Sequence, residues 1–122
     1  MKLDFTALTS ILGAEPGVCF ATLFGSSRAG EIREGGDVDV GVFLVPKPTP
    51  LEFYRFYQRV ASRVTNIPDL DLVDLANANS ILAFEALCGL RILVRDPEAL
   101  AAFASRMARE YEDDMLHATH AG

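Results

Sequence analysis

The chain has 122 residues, half of them apolar, and a formal net charge of −6. That length holds one domain with a sizeable core, read here as a single unit over 1–122. The acidic balance offers no electrostatic footprint for a nucleic-acid backbone, which argues against a templated polymerase or a tRNA-processing enzyme. No apolar run approaches a membrane span, and Met1-Lys2 leads into Leu3-Asp4-Phe5 without the apolar segment of a signal peptide. A cytoplasmic protein is therefore expected. Cys19 and Cys88 are too few for a disulfide framework and read as buried thiols.

Residues 4–12 predict a helix with Phe5, Leu8, Ile11 and Leu12 on one face, ended by Gly13. Glu15-Pro16-Gly17 then turns the chain into a buried strand over 18–24, short, apolar and closed by Gly25-Ser26. A short helix over 27–33 and the flexible Glu34-Gly35-Gly36 lead to a second strand over 37–45. Side chains on a strand alternate, so Asp37 and Asp39 point the same way, about 7 Å apart. Two unpaired carboxylates beside apolar neighbours repel each other and are costly to bury. A divalent cation relieves both problems, and Mg²⁺ prefers such hard oxygen ligands while keeping positions open for phosphate. Gly25 lets backbone approach an anion closely, and Ser26 adds a hydroxyl and an N–H at a helix start. Gly41 either leaves room on the carboxylate face or marks a bulge.

Thr49, Pro50 and Glu52 form a capping box that starts a helix over 51–65. Leu51, Tyr54, Tyr57 and Val64 share one face of it, and Phe53, Phe56 and Val60 another, so it is expected to be covered on more than one side. Asn66-Ile67-Pro68 ends it. A third strand over 69–75 places Asp69 and Asp71 on one face and Asp74 on the other. Asn77, Asn79 and Ser80 compete to cap a helix through Cys88, closed by Gly89. Residues 90–94 form a fourth strand. Asp96-Pro97 opens a long helix to about residue 116, with Leu100, Phe103, Met107 and Tyr111 at helical spacing. His117 and His120 read as a frayed end. The element order implies an α/β (α+β) fold, a mixed sheet of about four strands with helices packed on it.

Gly25-Ser26 followed after ten residues by Asp37-Val38-Asp39 resembles the signature of the DNA polymerase β-type nucleotidyltransferase superfamily. The surrounding Leu23-Phe24-Gly25-Ser26 and the short length are similar to its minimal nucleotidyltransferase (MNT) branch. Arg28 precedes Ala29, the reverse of the usual order, and Gly36 stands where serine is usual; neither change removes a ligand. In that branch the third strand reads Val-Asp-Leu-Val-Asp-Leu, close to Leu70-Asp71-Leu72-Val73-Asp74-Leu75 here.

The resemblance implies a polymerase β-like core and nucleotidyl transfer from ATP to a hydroxyl with two Mg²⁺ ions. It implies Asp37 and Asp39 as metal ligands and Asp71 as the third ligand or the base, with Asp74 as the alternative. Gly25 and Ser26 would hold phosphates, and Arg28 would either neutralise the leaving group or sit in solvent. The branch also implies an antitoxin that transfers AMP to a tyrosine of a HEPN-domain ribonuclease toxin, with which it forms a hetero-oligomer. The contrasting expectation is a nucleotide-binding antitoxin that blocks the toxin by complex formation without turnover.

Overall fold

The structure, a computed structural model, describes residues 5–25, 38–67 and 69–120. Within them the chain runs α1 (Thr6–Gly13), β1 (Val18–Phe24), β2 (Val38–Leu44), α2 (Pro50–Arg63), β3 (Leu70–Asp74), α3 (Ser80–Leu87), β4 (Leu90–Val94) and α4 (Pro97–His120). The strands at 18–24 and 90–94 fall where the sequence puts them, and α4 continues past residue 116. The expected short helix over 27–33 and the Glu34-Gly36 approach lie outside the described residues.

The four strands form one mixed sheet in the order β3-β2-β1-β4. β1 pairs antiparallel with both β2 and β4, while β2 pairs parallel with β3. Parallel neighbours need a crossover, and α2 supplies it. Its start is fixed by the predicted capping box: Glu52 N–H donates to Thr49 Oγ1 at 3.1 Å, and Thr49 N–H donates to Glu52 Oε1 at 2.9 Å. Reciprocal caps of this kind satisfy two otherwise orphaned N–H donors.

Helices cover both sheet faces. On one side Leu8 and Leu12 of α1 and Phe56 and Val60 of α2 pack on Val38, Val40, Val42 and Leu72. On the other, Ala83, Ala86 and Leu87 of α3 and Leu100, Phe103 and Met107 of α4 pack on Phe20, Phe24 and Leu75. Phe20 and Phe43 stack at 5.0 Å, with Phe103 4.6 Å from Phe43. Asn79 caps α3 by accepting from Leu82 N–H at 2.9 Å, and Asp96 caps α4 by accepting from Ala99 N–H at 3.1 Å. Among the described residues no helix is long and apolar enough to cross a membrane.

Three expectations need correction. The second apolar face of α2 is covered only in part: Val64 is buried and Tyr57 half-buried against the core, while Leu51 and Tyr54 are exposed. Cys88 is exposed while Cys19 is buried, because Cys88 sits at the end of α3 beyond the packed stripe. Gly13 ends α1 and Gly89 follows the Cys88 cap of α3, as expected, though among the described residues only Gly25 has a positive φ. Gly89 is instead required by a close approach, since a Cβ there would meet the Leu23 carbonyl oxygen. Finally, Gly41 neither clears the carboxylate face nor marks a bulge. The β1–β2 irregularity lies between Val18 and Phe20.

Gly41 is where α3 comes down on the sheet: a Cβ would lie 2.9 Å from Leu75 Cδ2 and 3.1 Å from Ala86 Cβ. Overpacking a close-packed core of this kind costs about 1–3 kcal/mol. Gly41→Ala should therefore lower unfolding free energy by about that amount in urea titration, with an unchanged denaturant slope.

Candidate active site

The strand register decides which polar residues meet. Phe24 pairs with Asp39 across β1 and β2, and Asp39 pairs with Asp71 across β2 and β3. Directly paired residues project to the same face, and neighbouring strands lie about 4.8 Å apart. Asp39 and Asp71 therefore stand side by side at one end of the sheet, on the face that carries α3 and α4. Asp39 is half-buried and Asp71 exposed. Asp74 pairs with Val42, three positions further along and on the opposite face, so it does not stand beside Asp39. Its carboxylate instead closes a turn, with Asn77 Nδ2 donating to Asp74 Oδ2 at 2.5 Å. Asp69 is exposed just before β3.

Gly25 follows directly on Phe24 and has φ +72°. Only glycine takes that conformation without steric cost. A Cβ at this position would also lie 2.7 Å from Asp39 Oδ2. The backbone bend after β1 thus touches the β2 carboxylate, and the clearance between them is one missing methyl group. Ser26, Arg28 and Asp37 lie outside the described residues.

Tyr57, which the helical periodicity assigns to packing alone, reaches the site from α2. Its hydroxyl donates to the Leu70 carbonyl oxygen at 2.8 Å and stands 3.3 Å from Asp71 Oδ1. A phenol has one proton, and the shorter bond to Leu70 takes the larger share of it. Burial, and after it the Asp71 charge, push the Tyr57 phenol above its ordinary pKa. The only hint in the sequence is chemical: a tyrosine among phenylalanines has a polar tip that needs a partner.

Beside Gly25 lies a cleft of about 320 Å³, lined by Phe24, Gly25, Phe84, Glu85, Cys88 and Tyr111. Phe84 of α3 and Tyr111 of α4 stack at 4.4 Å, and Ser80 donates to Asp114, which ties the two helices together. Phe24 and Gly25 belong to the sequence motif, whereas Phe84, Glu85, Cys88 and Tyr111 are marked by none, because the cleft is made where separate elements meet.

The donor set suits a hard cation. Two carboxylates in register, beside a bend that only glycine can make, are the oxygen-rich, open arrangement that Mg²⁺ binds together with phosphate. Among the described residues no group of three His, Cys, Asp or Glu side chains converges on one point.

A family model described as Polymerase beta, Nucleotidyltransferase matches residues 6–98. The chain belongs to this nucleotidyltransferase family. The match includes Gly25, Asp39 and Asp71, so the residues that meet at the sheet end all fall inside the family's span. No curated protein matches the chain. Among solved structures the fold is similar to a toxin–antitoxin structure with AMP-PNP, with a TM-score of 0.75, 23% identity, and coverage of 96% of this chain and 92% of the other. A rebuilt structure of the tri-AMPylated Shewanella oneidensis HEPN toxin in complex with MNT antitoxin is also similar, with a TM-score of 0.62, 22% identity, and coverage of 88% and 80%. At these identities the likeness is one of fold. It places this nucleotidyltransferase in the mixed α+β architecture expected from its element order.

Two measurements check the local geometry. Gly25→Ala should cost about 1–2 kcal/mol from left-handed strain alone, and displacement of Asp39 should add loss of divalent-cation binding, read by Mn²⁺ titration. The raised Tyr57 pKa means that its contribution to stability is whole below the free phenol value of about 10 and is lost as pH rises through the folded value. Thermal melts between pH 8 and 11.5 should show that alkaline decline in the parent chain and a shallower one in Tyr57→Phe.

Proposed function

We propose that this protein transfers AMP from ATP to a tyrosine hydroxyl of a HEPN ribonuclease toxin and is the antitoxin of that pair, acting in the cytoplasm. The observation that carries this reading is the row made by Gly25, Asp39 and Asp71 in a chain of the nucleotidyltransferase family. The similar fold of a toxin–antitoxin structure with AMP-PNP supports ATP as donor. The similar fold of an MNT antitoxin in complex with a tri-AMPylated HEPN toxin supports a protein acceptor.

Asp39 and Asp71, with Asp37 two positions before Asp39 in the sequence, would hold two Mg²⁺ ions. Bound there, Mg²⁺ supplies charge neutralisation on the triphosphate and a lowered pKa for the acceptor hydroxyl. The chain's own groups do the rest. The Gly25 bend lets backbone N–H groups approach phosphate oxygens, with Ser26 adding its hydroxyl. Arg28 balances the charge that develops on the departing pyrophosphate. The acceptor oxygen bonds to the α-phosphorus as the bond from that phosphorus to pyrophosphate breaks, and the hydroxyl proton passes to the Asp71 carboxylate. Tyr57 limits the swing of Asp71 by holding the backbone beside it.

Asp39→Asn keeps the side-chain shape and removes a charged ligand. It should abolish AMP adducts on the toxin, read by intact mass with ATP and Mg²⁺, with the fold unchanged by circular dichroism. Parent-like adduct formation in that variant would remove the site assignment. A tight complex with the parent chain and no adduct would instead favour the blocking antitoxin.

A further inference from the structure

The apolar stripe of α4 outruns the core it serves. Leu100, Phe103 and Met107 are buried against the sheet and α3, and Tyr111 continues the stripe by stacking on Phe84. One turn later Met115 is 42% exposed and Leu116 is 58% exposed. With Tyr111 and Glu112 they wall a shallow groove of about 370 Å³. Tyr111 lines both this groove and the cleft beside Gly25, so the two share a wall. The segment around the groove, Glu110 to Leu116, holds four carboxylates and no lysine or arginine. Glu110, Glu112 and Asp113 are exposed.

An apolar strip framed by one sign of charge selects its complement and disfavours a second copy of itself, because like charges would then meet across the interface. We propose that the Tyr111–Leu116 face of α4 docks the acceptor protein, through an apolar knob flanked by lysine or arginine side chains. The inference rests on the transfer reading, since an acceptor hydroxyl that reaches Asp39 must belong to a protein touching the surface around the cleft. Leu51 and Tyr54, the exposed pair on α2, share no wall with that cleft.

The test uses the full chain and, as probe, the purified HEPN-domain toxin proposed above as acceptor. Met115→Glu with Leu116→Glu should weaken the complex roughly tenfold or more, as loss of a central apolar anchor does. It should lower adduct yield at limiting acceptor, with recovery at high acceptor concentration and unchanged ATP binding. The charge reversal Glu112→Lys with Asp113→Lys, which leaves the apolar strip intact, should slow association and blunt its salt dependence. Parent-like affinity and association rate in both variants would overturn the proposal. So would sedimentation showing that the parent chain covers this strip with a second copy. If the parent chain forms a complex that the glutamate variant loses, yet no adduct appears, docking stands and the transfer reading fails. If adducts form while neither variant alters binding, docking alone fails.

Discussion

Like charges on adjacent strands repel, and the parallel pairing of β2 with β3 forces two of them together. Asp39 and Asp71 are partners in the ladder, so neither can move away without breaking the register that buries Val38, Val40 and Leu72 on the other face. The apolar half of the sheet therefore pins the polar half. Burial of that side fixes the pairing, and the pairing fixes two carboxylates at strand spacing. Solvent access on the Asp71 side eases the repulsion, and the cation and phosphate proposed to bind there would ease it further.

The surroundings serve the same arrangement. Gly25 supplies a bend with just enough clearance for Asp39. Gly41, two positions along β2, lets α3 sit directly on the sheet, which brings Phe84 and Cys88 to the rim of the cleft. Tyr57 crosses from the α2 layer to hold the backbone at the start of β3. Structural and chemical roles are thus divided along a single strand: Asp39 is turned to the site and Gly41 to the core, although both lie on one face.

Much of this was legible in the sequence, for reasons that are local. The capping box at Thr49–Glu52, the apolar strands and the Asp96-Pro97 start each depend on residues within a few positions of one another. The choice of Asp71 over Asp74 came only from a family pattern; no local spacing fixes which residue of β3 faces Asp39, and the ladder supplies that answer. Tyr57, Cys88 and the cleft were out of reach because they depend on contacts between elements distant in the chain. Gly41 shows the opposite error: in sequence it stands two positions from Asp39, but its neighbours in space are Leu75 and Ala86.

The order of the strands carries a consequence for synthesis. Gly25 and Asp39 leave the ribosome early, while their partner Asp71 follows only after the whole of α2, and the α3 and α4 walls come later still. A nascent chain paused before β3 holds an incomplete ladder, with β2 as an unpaired edge. α4 follows, and its Tyr111 closes the cleft. The Gly25, Asp39 and Asp71 row is therefore complete only after β3, and the cleft beside it only after α4.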